Sequence, residues 1–182
     1  MRDQTTVITG ATGFLGRELV LHMLAADPAA HLTLLVRGRD EAEAQARGLS
    51  LLTGQLQGAA LADASVRVAV VRADLEREGL GLTPRAYAEL AGRTVGVIHG
   101  AASVSFSLPI DEARAINVEG TRRVLDLARQ AGAHLDYVGT AYVAGERTGL
   151  VLETELECGQ GFRNTYERSK CEAEALVRSR VG

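Results

Sequence analysis

Residues 9–18, TGATGFLGRE, set Gly10, Gly13 and Gly16 at three-residue intervals directly behind a run of β-branched residues. Residues 4–9 (QTTVIT) have the composition of a buried strand, and Leu19, Val20, Met23 and Leu24 fall at the three- and four-residue steps of a helix face. The glycines therefore lie at a strand-to-helix turn. Such a turn needs one residue free to take positive φ, one without a side chain where a phosphate approaches the backbone, and one that lets helix and strand pack closely. The helix N-terminus adds unpaired N–H groups and the positive end of a dipole. Gly10, Gly13 and Gly16, with Thr12, Phe14 and Leu15 between them, read as a pyrophosphate cradle. Taken alone, the triplet also fits a tight connection that binds nothing.

The rest of the chain continues the alternation. Strand candidates at 5–9, 32–36, 66–72, 95–99 and 135–139 are separated by helical patterns, the signature of a parallel sheet covered on both faces. Leu49, Leu52 and Leu56 mark the second helix, weakened by Gly48, Gly54 and Gly58. Ile116, Gly120, Val124, Leu127 and Ala131 mark the fourth, which stops at Gly132 as a capped helix does. The expected fold class is α/β, a doubly wound parallel sheet of the Rossmann type, with one domain over 1–182 and the ligand beyond the carboxyl ends of the strands. No strand follows the helix at 166–180, although a Rossmann sheet usually has six.

Composition excludes several classes. With 182 residues, 46% hydrophobic and 24% charged, the chain is ordinary for a soluble domain, and its 20 Lys and Arg against a net charge of −3 form no basic stripe for nucleic acid. Met1 runs into strand-like sequence too soon for a signal peptide, and no apolar run reaches membrane-spanning length, so a cytoplasmic location is expected. Cys158 and Cys171 are expected as free thiols. His22, His31, His99 and His134 have no ligand spacing to one another or to the cysteines, and no metal is expected.

The second strand ends in LLVRGR, about 20 residues past the glycines. An acidic residue there would suit a free ribose 2′-hydroxyl; Arg37 instead can fork onto a 2′-phosphate, with Arg39 as helper, which favours NADP(H) over NAD(H). The competing reading is a solvated arginine pair. Asp74, at the end of the third strand, can accept from the adenine amino group beside Leu75, or can serve as a turn residue. Gly100, Ala101 and Ala102 in HGAASVSF are small enough for a cofactor to lie against them, and equally suit packing.

Tyr166 and Lys170 are four apart in TYERSKCEAEAL and share one helix face, while Thr140 follows the fifth strand in YVGTAYVAG. A phenol, an ammonium that favours the phenolate and a neighbouring hydroxyl are the parts needed to protonate an oxygen while hydride reaches the adjoining carbon.

With TGATGFLG, Asp74, HGAA, NVEGT at 117–121, Thr140 and YERSK in this order, the chain resembles the extended short-chain dehydrogenase/reductase superfamily. GATGFLGRELV, VIHGAASVSF, GTAYVAG and NTYERSK are most similar to its thioester-reductase and fatty-acyl reductase branch. The resemblance implies a catalytic triad of Thr140, Tyr166 and Lys170, with Asn117 completing a proton-relay tetrad and Lys170 also binding the nicotinamide ribose. It implies reduction of a carbonyl or acyl thioester, and marks the chain as an N-terminal portion, since family members continue well past the Tyr-Lys helix. A nucleotide-sugar epimerase or dehydratase, and a non-catalytic NADP-binding module, stay open beside it, and the sequence leaves the oligomeric state open.

Overall fold

A computed structural model describes residues 4–180. Met1 and Gly182, on which the readings of the two termini bear, lie outside the described residues. Five parallel strands, β1 (Thr5–Thr9), β2 (Leu32–Val36), β3 (Val68–Arg72), β4 (Thr94–His99) and β5 (His134–Tyr137), form one sheet in the order β3-β2-β1-β4-β5. The winding reverses between β1 and β4, which is where a doubly wound sheet opens a crevice for ligand. Register places that crevice: Thr9 is level with Leu35 and with His99, so the segments that follow β1, β2 and β4 emerge on one rim.

The two faces divide the apolar residues by the period-two rule of strands. Ile8, Leu34 and Val70 point toward α1 (Phe14–Ala26), α2 (Glu41–Thr53) and α3 (Gly58–Arg67), where Val20, Leu24, Leu52 and Ala64 complete one core. Val7, Leu35 and Val97 meet α4 (Pro84–Ala91) and, beyond α5 (Ile110–Arg114), α6 (Gly120–Ala131), through Leu90, Val124 and Leu127. β2 is buried along its whole length, whereas the edge strands β3 and β5 are partly exposed. α7 (Thr165–Arg180) packs beside α6. None of these helices is long and apolar enough to cross a membrane.

Three details depart from the periodicity. The helix expected through Leu49, Leu52 and Leu56 stops at Thr53 and restarts at Gly58, and its buried face is Ala44, Gly48, Leu51 and Leu52, leaving Leu49 exposed. Gly48, which costs helix propensity, is required by packing: a Cβ there would lie 2.5 Å from a Val70 methyl. Residues 66 and 67 belong to α3 rather than to the third strand, and the buried Arg67 guanidinium donates to the Leu24 and Asp27 carbonyls, both at 3.1 Å, closing the C-terminal end of α1. The fourth helical pattern ends at Gly132 in the left-handed region as expected, but residues 115–119 form a π-helical turn joining α5 to α6.

Candidate active site

β1 leaves the sheet at Thr9, and α1 begins at Phe14 with no side chain capping it and no acidic residue in its first turn. Its first amide groups are thus left to a ligand rather than to the protein's own oxygens. This turn is one wall of a cleft of about 650 Å³, lined among others by Gly10, Thr12, Gly13, Phe14, Leu15 and Gly16. Arg37, Asp74, Leu75, Gly100, Ala101 and Ala102 line the same cleft, so every residue assigned to the dinucleotide from the turn, the second, third and fourth strand ends meets one cavity.

At the β2 end, Arg37 is largely exposed and its Nη1 lies 3.2 Å from Glu76 Oε1. Arg39 does not join it: its guanidinium is held by Glu43 at 2.8 Å, and Arg39 is not part of the cleft lining. The second cation in the lining is Arg47 of α2, whose Nη1 donates to the Arg37 carbonyl. Sequence reasoning missed Arg47 because it comes ten residues after Arg37 and returns only when α2 folds back over the strand end. Asp74 fills the turn role considered for it and also lines the cleft. Its Oδ1 accepts from the Glu76 amide at 3.0 Å as a turn residue does, and its side chain borders the cleft.

The loop after β4 is pinned from two sides. The Gly100 and Ala101 amides donate to the Thr9 carbonyl and hydroxyl, each at 3.2 Å. Asn117, buried in the π-helical turn, accepts from the Ser103 amide at 2.8 Å and donates to the Ser103 carbonyl at 3.1 Å and to Ser169 Oγ on α7 at 2.9 Å. Its side chain therefore ties the cleft wall to the helix that carries Tyr166 and Lys170. π-turns concentrate at functional positions. This one has no sequence signal, since its five residues are too few to show a period of their own.

Around the β5 end, Thr140 Oγ1 accepts from the Tyr142 amide at 3.3 Å. The half-buried Tyr166 ring stands 5.5 Å from Phe106 and 6.4 Å from Tyr142, so three of the seven aromatic rings of the chain (three Phe and four Tyr) gather here. Phe106 comes from a loop and Tyr142 from the short 3₁₀ turn Ala141–Ala144, and neither is long enough to carry a periodic signal. Lys170 is buried; its Nζ donates to the Val138 carbonyl at 2.9 Å and sits 4.3 Å from the centroid of the Tyr137 ring. Burial pulls the Lys170 ammonium down to about 8, against the opposing pull of the Glu174 carboxylate. Cys171 is buried and Cys158 exposed beside Arg147; both are free thiols and neither lines the cleft.

Residues 8–181 match the family model described as Male sterility protein, an NAD-binding family. Glycine betaine reductase ATRR of Emericella nidulans is 41% identical over 183 residues, covering 96% of this chain and 14% of that protein. Among solved structures, the terminal R domain of the myxalamid PKS-NRPS pathway is 35% identical with a TM-score of 0.84, covering 97% of this chain and 46% of that one. The reductase domain of a Mycobacterium tuberculosis nonribosomal peptide synthetase is 26% identical with a TM-score of 0.73, over 97% and 44%. The chain thus spans less than half the length of these similar proteins. On the strength of the family match and of the five-stranded parallel sheet with a glycine turn behind its first strand, the chain belongs to the Male sterility protein family of nicotinamide-dinucleotide-binding Rossmann domains, within the extended short-chain dehydrogenase/reductase superfamily.

Proposed function

We propose that this chain is the NADP(H)-binding core of a reductase acting on an acyl thioester or a related carbonyl compound. The observation that carries the reading is the opening of the glycine turn, the arginines of the β2 end and the loop after β4 into one cleft, with α7 tied to that cleft through Asn117. These residues fit a dinucleotide: an uncapped helix start for the pyrophosphate, small residues along the wall and cations at the far rim. NADPH, when bound, supplies the hydride. Tyr166 donates the proton to the substrate oxygen, Thr140 orients that oxygen, Lys170 holds the nicotinamide ribose and favours the phenolate, and Asn117 keeps Ser103 and α7 in register. The similarity to reductase domains of peptide and polyketide synthetases points to a thioester-linked acyl group as substrate. The test is thioester-dependent NADPH oxidation by the gene-encoded polypeptide; oxidation absent with thioester and aldehyde alike overturns the reading.

A nucleotide-sugar epimerase or dehydratase would use the same fold but retain NAD, and the arginines at the β2 end weigh against it. Arg37→Ala is expected to weaken NADPH binding by about 1.5–3 kcal/mol while leaving NADH nearly unchanged, because a charge-assisted bond to the 2′-phosphate is lost. Arg47→Ala should act in the same direction. The exposed pair with Glu76 contributes at most about 1 kcal/mol and is no obstacle to phosphate capture. Calorimetric titration with both cofactors decides, and an Arg37→Ala variant that keeps the parent's preference refutes the assignment.

Lys170 also predicts a pH profile. Its ammonium is present below about 8 and lost above it, so kcat/KM is expected to fall on an alkaline limb near that pH. Glu174 raises the Lys170 pKa; Glu174→Gln should therefore move the limb to lower pH. A limb that stays in place, or moves upward, removes Lys170 from the titration.

A further inference from the structure

His99, the last residue of β4, is a buried imidazole flanked by two hydroxyls: Thr9 Oγ1 is 2.7 Å from Nδ1 and Thr121 Oγ1 is 2.9 Å from Nε2. Hydroxyls can donate or accept, so the distances alone leave the tautomer open. The surrounding bonds close it. Thr121 Oγ1 lies 2.6 Å from the Asn117 carbonyl, which can only accept, so the single Thr121 hydroxyl proton is committed there. Thr121 must then accept from His99, and Nε2 carries the proton. Burial first, and the Lys170 charge second, pull the His99 pKa to about 3, so the ring is neutral and Nδ1 is bare. Nδ1 accepts from the Thr9 hydroxyl, whose lone pairs receive the Ala101 amide at 3.2 Å.

We propose that His99 is a positioning residue, fixed as the neutral Nε2–H tautomer, whose one-way hydrogen-bond chain couples the cleft wall at Ala101 to the π-helical turn at Asn117. The chain runs from the Ala101 amide to Thr9 and from Thr9 to Nδ1, then from Nε2–H to Thr121 and from Thr121 to the Asn117 carbonyl. No direction in it can be reversed: a protonated ring would set an Nδ1–H against Thr9 and take from the Thr9 hydroxyl proton the acceptor it has here, and the Nδ1–H tautomer would in addition leave Nε2 facing a hydroxyl with no proton to give. At its two ends stand the backbone that lines the cleft and the residue that holds Ser103 and Ser169. The effect on cofactor binding rests on the reading of this cleft as the dinucleotide site; the tautomer does not.

Two measurements test it. In a variant carrying His22→Gln, His31→Gln and His134→Gln, all at exposed positions, His99 is the one imidazole left, and its side-chain ¹⁵N spectrum should show a pyrrole-type ε2 and a pyridine-type δ1 nitrogen, unchanged from pH 8 to pH 5. The reverse pattern, or an imidazolium, overturns the proposal without reference to function. Thr121→Val, which removes the acceptor and orphans Nε2–H, should raise the Kd for NADPH about tenfold, the equivalent of one buried hydrogen bond. Thr121→Ser, which keeps the hydroxyl, should stay within about twofold. Thr33→Val removes a comparable buried hydroxyl from the Thr5–Thr33 pair and should lower stability without moving Kd. Equal Kd values for the Val and Ser variants end the positioning role. A parent chain that does not bind NADPH overturns the site reading, and the coupling to cofactor with it, while the spectrum still reports the tautomer.

Discussion

Tyr166→Phe should leave NADPH affinity within about twofold of the parent and slow reduction by roughly 10² to 10⁴-fold, the span associated with a positioned general acid. The substitution removes one oxygen and keeps the ring, so its contacts with Phe106 and Tyr142 persist and packing gives no reason for loss. On the proposed function, cofactor binding rests elsewhere, on the glycine turn, on Arg37 and Arg47 and on Lys170. Lys170→Ala should behave differently, harming affinity and rate together, because the proposed function asks one ammonium to serve both. If Tyr166 and Lys170 were only an aromatic and a charge on a packed helix, the phenylalanine variant would match the parent. Single-turnover reduction by the gene-encoded polypeptide at saturating NADPH separates the two cases, and a rate within about twofold of the parent would falsify the proposed acid, since a lost general acid costs far more.

The strands were legible because each is a short β-branched or apolar run, and all five formed within two residues of the expected bounds. The buried β2, apolar along LTLLV, is the clearest case. Helix ends were legible where a glycine must take positive φ, as at Gly132, and not where packing chose the face, as in α2. Single-chain spacing could place Tyr166 beside Lys170 but not the carbonyl of Val138 or the ring of Tyr137, which reach Nζ only through the β5 register. The same limit explains the exchange of Arg39 for Arg47 as partner to Arg37, and the reading of His99 as merely a residue without metal spacing. Each depends on contacts that form only when separate elements fold onto one another.

The three glycines of the turn look alike in sequence and should fail in different ways. At Gly16 a Cβ would fall inside the van der Waals envelope of the Gly10 carbonyl oxygen and 2.7 Å from the Gly10 carbonyl carbon, all backbone that cannot rotate aside. At Gly10, φ is +75° and a Cβ would lie 2.6 Å from the Gly100 carbonyl carbon and 2.7 Å from the Ala101 amide, so an alanine meets both left-handed strain and the neighbouring β4 loop. Gly13 has only the Gly10 oxygen at 3.2 Å, a gap that a small shift can relieve. Gly16→Ala and Gly10→Ala should therefore each cost about 3 kcal/mol or more of stability and abolish measurable cofactor binding, because the fold must give way at the point where β1, α1 and the β4 loop converge. Gly13→Ala should change stability by less than about 1 kcal/mol and still weaken NADPH on the order of 100-fold, because its methyl would stand at the uncapped start of α1 where the pyrophosphate is expected. Thermal melts with and without NADPH read both quantities from the same samples. A Gly13→Ala protein that melts as the parent does and keeps its NADPH-dependent rise in Tm would show that the phosphates do not lie against this turn, whatever the glycines do for the fold.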